Sequence, residues 1–177
     1  MRLLAVCVAA LTLAIFLGDA VTSEGASPKP CHATARQVRA ARSATWHWQA
    51  ELGAQPTPTA YGERGASCAY LTWQRRLWSR RAAATYRTVV ALRDPRKAIS
   101  YVFGPYSRQA LGVAWCESRF SPRARNGQYL GLFQMGSSER RLFGHGPTPL
   151  AQAWAAWRYF ERSGRDWSPW SCRWAAS

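Results

Sequence analysis

Acidic residues, histidine and lysine are all scarce in this 177-residue chain: nine Asp and Glu, three His and two Lys stand beside 22 Arg. The shortage of carboxylates leaves a formal net charge of +15 at pH 7. Such a surface attracts polyanions, whether nucleic acid, anionic lipid or the anionic polymers of a bacterial wall. Arginine richness also follows from the codon usage of a GC-rich genome, so charge alone selects no partner. His32, His47 and His145 are scattered and no Cys-x-x-Cys pair occurs, which argues against a metal site, and no other cofactor is expected. Internal repeats and low-complexity tracts are missing. With 47% hydrophobic and 19% charged residues, the composition is globular rather than disordered.

Long hydrophobic runs are missing too. The apolar stretch from Leu3 to Leu17 falls short of the ~20 residues that a membrane-spanning helix needs. It comes after Met1-Arg2, is interrupted only by Cys7 and Thr12, and leads to Gly18-Asp19-Ala20, which offers small residues on either side of Asp19. That is the anatomy of a cleaved secretory signal, with an uncleaved anchor as the alternative. Val6 before Cys7 argues against a lipoprotein. Residues 1–20 are therefore read as a signal peptide and 21–30 (VTSEGASPKP) as a linker. Roughly 150 residues remain, enough for a real core. The expected location is secreted or wall-associated, with no stable membrane insertion after cleavage. A basic exported protein meets anionic wall polymers before it meets DNA.

Export also organises the cysteines. Loss of Cys7 leaves Cys31, Cys68, Cys116 and Cys172, an even number in an oxidising compartment that predicts two disulfides in one of three pairings. A Cys31–Cys68 bond would staple two helices into a hairpin; the opposite pairing would tie that segment to the C-terminal half of the chain. The local bond is preferred.

Residues 32–52 read as a helix stopped by Gly53, and 55–65 (QPTPTAYGERG) as a loop. From Cys68 to Leu92 the positions Tyr70, Leu71, Gln74, Leu77, Trp78, Tyr86, Val89 and Val90 recur near helical spacing. Residues 31–93 thus form an N-terminal helical appendage, with Trp46, Trp48, Trp73 and Trp78 expected at its helix–helix contact. A second domain spans 94–177. Asp94-Pro95 restarts the chain as N-cap and first helical residue, and Ala98, Ile99, Val102 and Phe103 form a buried stripe that ends at Gly104-Pro105. The next helix is read over 106–117. Asn126-Gly127 signals a tight turn with Gln128-Tyr129-Leu130 as one arm of a small hairpin. Ser137 or Ser138 is expected to cap a short helix. Thr148-Pro149 opens the last one, whose core face is Leu150, Ala153, Trp154, Trp157 and Phe160, with Gly164 as its stop.

One carboxylate stands out. On the helix over 106–117, Ala110, Val113, Ala114 and Glu117 share one face, so an acid takes the last slot of an apolar stripe where the helix stops. Glycoside cleavage needs a protonated acid beside the leaving oxygen, and a partly apolar setting suits that role. The plain alternative is a Glu paired with one of the many arginines.

Trp115-Cys116-Glu117-Ser118-Arg119-Phe120-Ser121-Pro122, then Asn126-Gly127-Gln128-Tyr129 and Gly131-Leu132-Phe133-Gln134-Met135, resemble the signature of the lysozyme-like superfamily. More narrowly they resemble its bacterial lytic transglycosylase and resuscitation-promoting-factor-like branch. The resemblance covers roughly residues 95–173 and leaves the appendage unmatched. It implies a mainly α protein whose lysozyme-like α+β domain carries a small β-hairpin tongue. It implies Glu117 as catalytic acid, Gln134 as a substrate contact, Tyr129 as a sugar-stacking platform, and peptidoglycan glycan strands as partner. Cys116 and Cys172 resemble the paired cysteines of secreted actinobacterial members. Ser118 either contacts substrate or caps its helix.

Hydrolysis canonically wants a second carboxylate. Beyond Glu117 only Glu139, Glu161 and Asp166 are available, and Glu139 is the candidate. Without one, the sugar's own groups complete the reaction and leave a 1,6-anhydro end, so the expectation leans to a lytic transglycosylase over a hydrolytic muramidase. Two readings of other classes stand beside it: a silent wall-binding module, and a membrane-active or nucleic-acid-binding Arg/Trp helix around 70–87, which carries no recognised nucleic-acid motif.

Overall fold

A computed structural model describes residues 29–59, 63 and 65–177, apart from the side chains of Lys29 and Pro30. The expected signal peptide, and residues 21–28 of the linker, lie outside the described residues. The chain is mainly helical with one two-stranded antiparallel sheet. No described helix is long and apolar enough to cross a membrane.

Helix α1 (Lys29–Glu51) and α2 (Cys68–Ala91) lie side by side. The first begins within the expected linker, because Pro30 is compatible with a first helical turn. Ser67 caps α2 by accepting from the Tyr70 N–H at 3.2 Å. Cys31 and Cys68 are bonded, with Cα atoms 5.3 Å apart. Trp46 meets Trp78 edge-on at 6.2 Å and Trp48 packs on Tyr86 at 5.1 Å. Trp73 departs from expectation: it is 52% exposed and neighbours Tyr70 of its own helix. Tyr86 and Val90 are likewise exposed. Trp78 is buried beside Val38 of α1 and Leu71 is buried on the same face, whereas Val89 and Leu92 join the main core. The buried residues Leu71, Trp78 and Val89 recur at 7 and 18 residues along one helical face of α2, whose last turn alone reaches the main core.

The pair docks through its far end. Gly53, at φ +70°, lies so close to Trp154 that a Cβ there would collide with the indole. The Tyr101 hydroxyl donates to the Leu52 carbonyl at 3.2 Å. Trp154 is therefore half-buried at this junction rather than central to the core.

Asp94 caps α3 (Pro95–Phe103), and Thr148 caps α6 (Pro149–Arg162). Between α3 and α4 (Ser107–Ser118) the Gly104-Pro105 stop becomes a 3-10 turn over Gly104–Tyr106. Phe103, fully buried, has the rings of Phe133, Trp157, Phe160 and Trp167 within 5.4–5.9 Å of its own. Strands β1 (Arg125–Asn126) and β2 (Tyr129–Leu130) pair Asn126 with Tyr129, so Gly127-Gln128 forms the turn, with Gly127 at φ +57°. Helix α5 (Ser137–Phe143) is capped by Gly136 rather than by Ser137 or Ser138. The Ser137 hydroxyl is instead 3.0 Å from Gln128 Oε1, which it can donate to.

Gln152 holds the irregular segments together from the buried face of α6. Its Oε1 accepts from the Leu132 N–H at 2.9 Å, and its Nε2 donates to the carbonyls of Pro122 at 2.9 Å and Gly146 at 3.3 Å. Gly131 packs against the same amide at φ +78°, where a side chain would fit neither in space nor in conformation. Replacing Gln152 with Leu strands one buried N–H and two partly buried carbonyls, and stability should fall by about 3 kcal/mol at unchanged m-value in urea titration.

Candidate active site

Helix α4 ends on a strained turn. Arg119 caps it at φ 56° and Phe120 comes next at φ 62°. Gln134, across the groove, has φ 43°. Non-glycine residues in this left-handed region cost about 1–3 kcal/mol each and cluster at functional sites. Here they re-aim the chain so that the last turn of α4 opens into a groove of about 530 Å³.

Glu117 lines that groove, half-buried, with Tyr129, Gln134 and Trp170 among its other walls. The Cys172 N–H donates to Glu117 Oε1 at 3.0 Å. Cys116 and Cys172 are bonded, with Cα atoms 5.9 Å apart, which holds the two segments in register. Glu117 has no arginine partner among the described residues; its one bond is to that backbone amide. Ser118 reaches inward: its hydroxyl lies 2.8 Å from the Leu132 carbonyl and 3.1 Å from that of Ala114, tying helix end to groove floor with a single proton. Gln134 donates through Nε2 to the carbonyls of Gly131 at 2.9 Å and Ala124 at 3.3 Å, which fixes the amide and leaves its Oε1 unbonded among the described residues. Tyr129 stands on β2 with 45% of its surface exposed along the groove.

The groove continues into a second compartment of about 210 Å³, which shares Tyr129, Gln134, Pro169 and Trp170 with the first. Glu139 lines this second compartment and not the one that holds Glu117. Glu161 lies elsewhere on α6, 3.6 Å from Arg165. Asp166 accepts from the Ser168 N–H at 3.2 Å in a local turn.

Pro169, Trp170 and Ser171 form a further wall of the groove. Trp167 and Trp170 are both buried, at 6% and 4%, but Trp170 also lines the groove while donating to the Phe133 carbonyl at 3.0 Å. Arg119 and Arg125 add positive charge beside Glu117. Among the described residues no group of His, Cys, Asp and Glu is arranged to hold a metal ion.

His145 borders the floor of the site, against Gly131. Burial first, then the Arg140 charge, lowers its pKa below the usual 6.5, against an opposing backbone hydrogen bond at Leu130. The folded state therefore binds fewer protons than the unfolded one just below pH 6.5. The stability due to neutral His145 is present above that value and lost as pH falls through the folded pKa. A His145→Gln protein should show a flatter stability profile between about pH 5 and 7, measured by urea midpoints.

No family model, no curated protein and no solved structure matches this chain.

Proposed function

We propose that the protein cleaves the β-1,4 bond between the N-acetylmuramic acid and N-acetylglucosamine units of peptidoglycan, as an exported lysozyme-like enzyme of lytic transglycosylase type. The observation that carries this reading is the Glu117 carboxylate, which ends α4 inside an open groove and is oriented by the Cys172 amide. Two adjoining compartments suit a polymer, and the exposed Tyr129 offers ring surface to sugars. The motifs around Glu117, Tyr129 and Gln134 resemble those of the lytic transglycosylase branch, and the two disulfides suit an oxidising compartment.

In this reading Glu117 gives its proton to the glycosidic oxygen as the bond to C1 breaks. The 6-hydroxyl oxygen of the same muramic residue then bonds to C1, and its proton returns to Glu117. The product carries a 1,6-anhydro end, and the acid is regenerated without water. Support for this route over hydrolysis comes from Glu139, which lines the neighbouring compartment rather than that of Glu117.

The test is digestion of purified peptidoglycan and mass spectrometry of the fragments. Anhydro-ended fragments are expected. Reducing ends, heavier by one water, would make the protein a muramidase and return Glu139 to a catalytic role. Binding without any fragment would make it a wall-binding module.

A further inference from the structure

Seven acidic side chains fall within the described residues, and all but one have a partner. Glu51 and Glu63 face His47 and the Arg39–Arg42 pair, Glu161 faces Arg165, Asp94 and Asp166 cap backbone amides, and Glu117 takes the Cys172 N–H. Glu139 alone has neither hydrogen bond nor ion pair among the described residues. This is an odd state for a carboxylate in a chain with 24 basic residues.

Its surroundings are built to keep it so. No Lys or Arg lines the second compartment. Arg140, next in sequence, is turned away, its Nη1 donating to the carbonyls of Gln128 and Met135, both at 2.5 Å. Gly136 leaves room for the carboxylate: a Cβ there would strike Glu139 Oε2 and lie 3.4 Å from the Tyr129 ring. Tyr129, Tyr159 and Trp170 surround the space with aromatic surface. The Tyr159 hydroxyl is pushed up in pKa by burial first and then by the Glu139 charge, so the two groups sense each other. An unpaired carboxylate in a compartment bordered by aromatic rings is complementary to a small cation, which gains from both ion pairing and the rings.

We propose that the second compartment binds a primary ammonium group of the substrate, with Glu139 as its counter-ion; this rests on the reading of the groove as a glycan site. Because the compartments share Tyr129, Gln134, Pro169 and Trp170, one strand spans both. Its ammonium-bearing unit lies at Glu139, away from Arg119 and Arg125. Two sources supply that chemistry in peptidoglycan: a glucosamine unit lacking its N-acetyl group, and the side-chain amine of a diamino acid in the stem peptide.

The experiment measures binding by tryptophan fluorescence to the Glu117→Gln protein, which leaves ligands uncut. Two matched pairs are compared: chitin tetramer with its de-N-acetylated form, and an amine-bearing muropeptide with its chemically N-acetylated form. The amine-bearing member of at least one pair should bind about 10-fold more tightly, with an advantage that shrinks as salt is raised. The pair that shows it identifies the source. Adding Glu139→Gln should erase the advantage while the acetylated ligands bind as before. Equal binding within both pairs, or an advantage that survives Glu139→Gln, overturns the ammonium site and leaves the glycan groove standing. Failure of all four ligands to bind overturns the glycan reading as well.

Discussion

Under the proposed mechanism the Glu117→Gln protein is expected to release glycan fragments about 10²–10⁴-fold more slowly than the unaltered protein. The substitution removes a proton and changes almost nothing else. A glutamine carbonyl can accept the Cys172 N–H as the carboxylate does, so the strained turn at Arg119 and the disulfide beside it have no reason to move. The loss should therefore fall on kcat, with wall binding and the thermal midpoint retained. Glu117→Asp is a harder perturbation of position: one methylene shorter, it retracts the carboxylate from the amide that orients it. It should keep some turnover but far less than the parent. Full activity in Glu117→Gln would move the acid elsewhere and sink the proposed mechanism.

The second large effect is on stability. Replacing Cys116 and Cys172 together by Ala opens a loop with a sequence separation of 56, worth about 4 kcal/mol in the chain-entropy picture. For a domain of this size that lowers the melting temperature by roughly 10 °C. Removing Cys31 and Cys68, with a separation of 37, should cost nearly as much by the same entropy. The two differ in activity. The first pair borders Glu117 and fixes the wall opposite it, so fragment release per folded molecule should drop. The second pair joins α1 to α2, neither of which lines the groove, and its loss should leave that rate unchanged. Denaturation curves and turnover on the same preparations separate the two contributions.

Local features were the legible ones in the sequence. Asp94-Pro95 and Thr148-Pro149 announce their helices because caps and first turns are built from adjacent residues. Asn126-Gly127 marked the hairpin, although its turn is Gly127-Gln128 and Gln128 belongs to the turn rather than to the arm. Glu117 stands out because helical spacing puts it on the same face as Ala110, Val113 and Ala114. Features joined across long separations were not legible. Pro169, Trp170 and Ser171 reach the groove through contacts 37 to 56 residues back along the chain. Gln152 reads as one more residue of an Ala-rich helix, although a glutamine on that helix's apolar face was the available sign of a buried hub. The Gly136 cap displaced the expected serine because Ser137 has a better use at Gln128. In α2 the helix expected over 68–92 is found at Cys68–Ala91, although Tyr86 and Val90 of its expected apolar set are exposed.

The wall at Pro169–Cys172 has a consequence for the order of assembly. Glu117 and the amide that orients it lie 55 residues apart in the chain. Local helices form without that contact, but until Cys172 is in place the Glu117 carboxylate lacks its one hydrogen bond among the described residues. The competent site is therefore a late product of folding, closed by the joining of two distant segments rather than by any one element finding its shape.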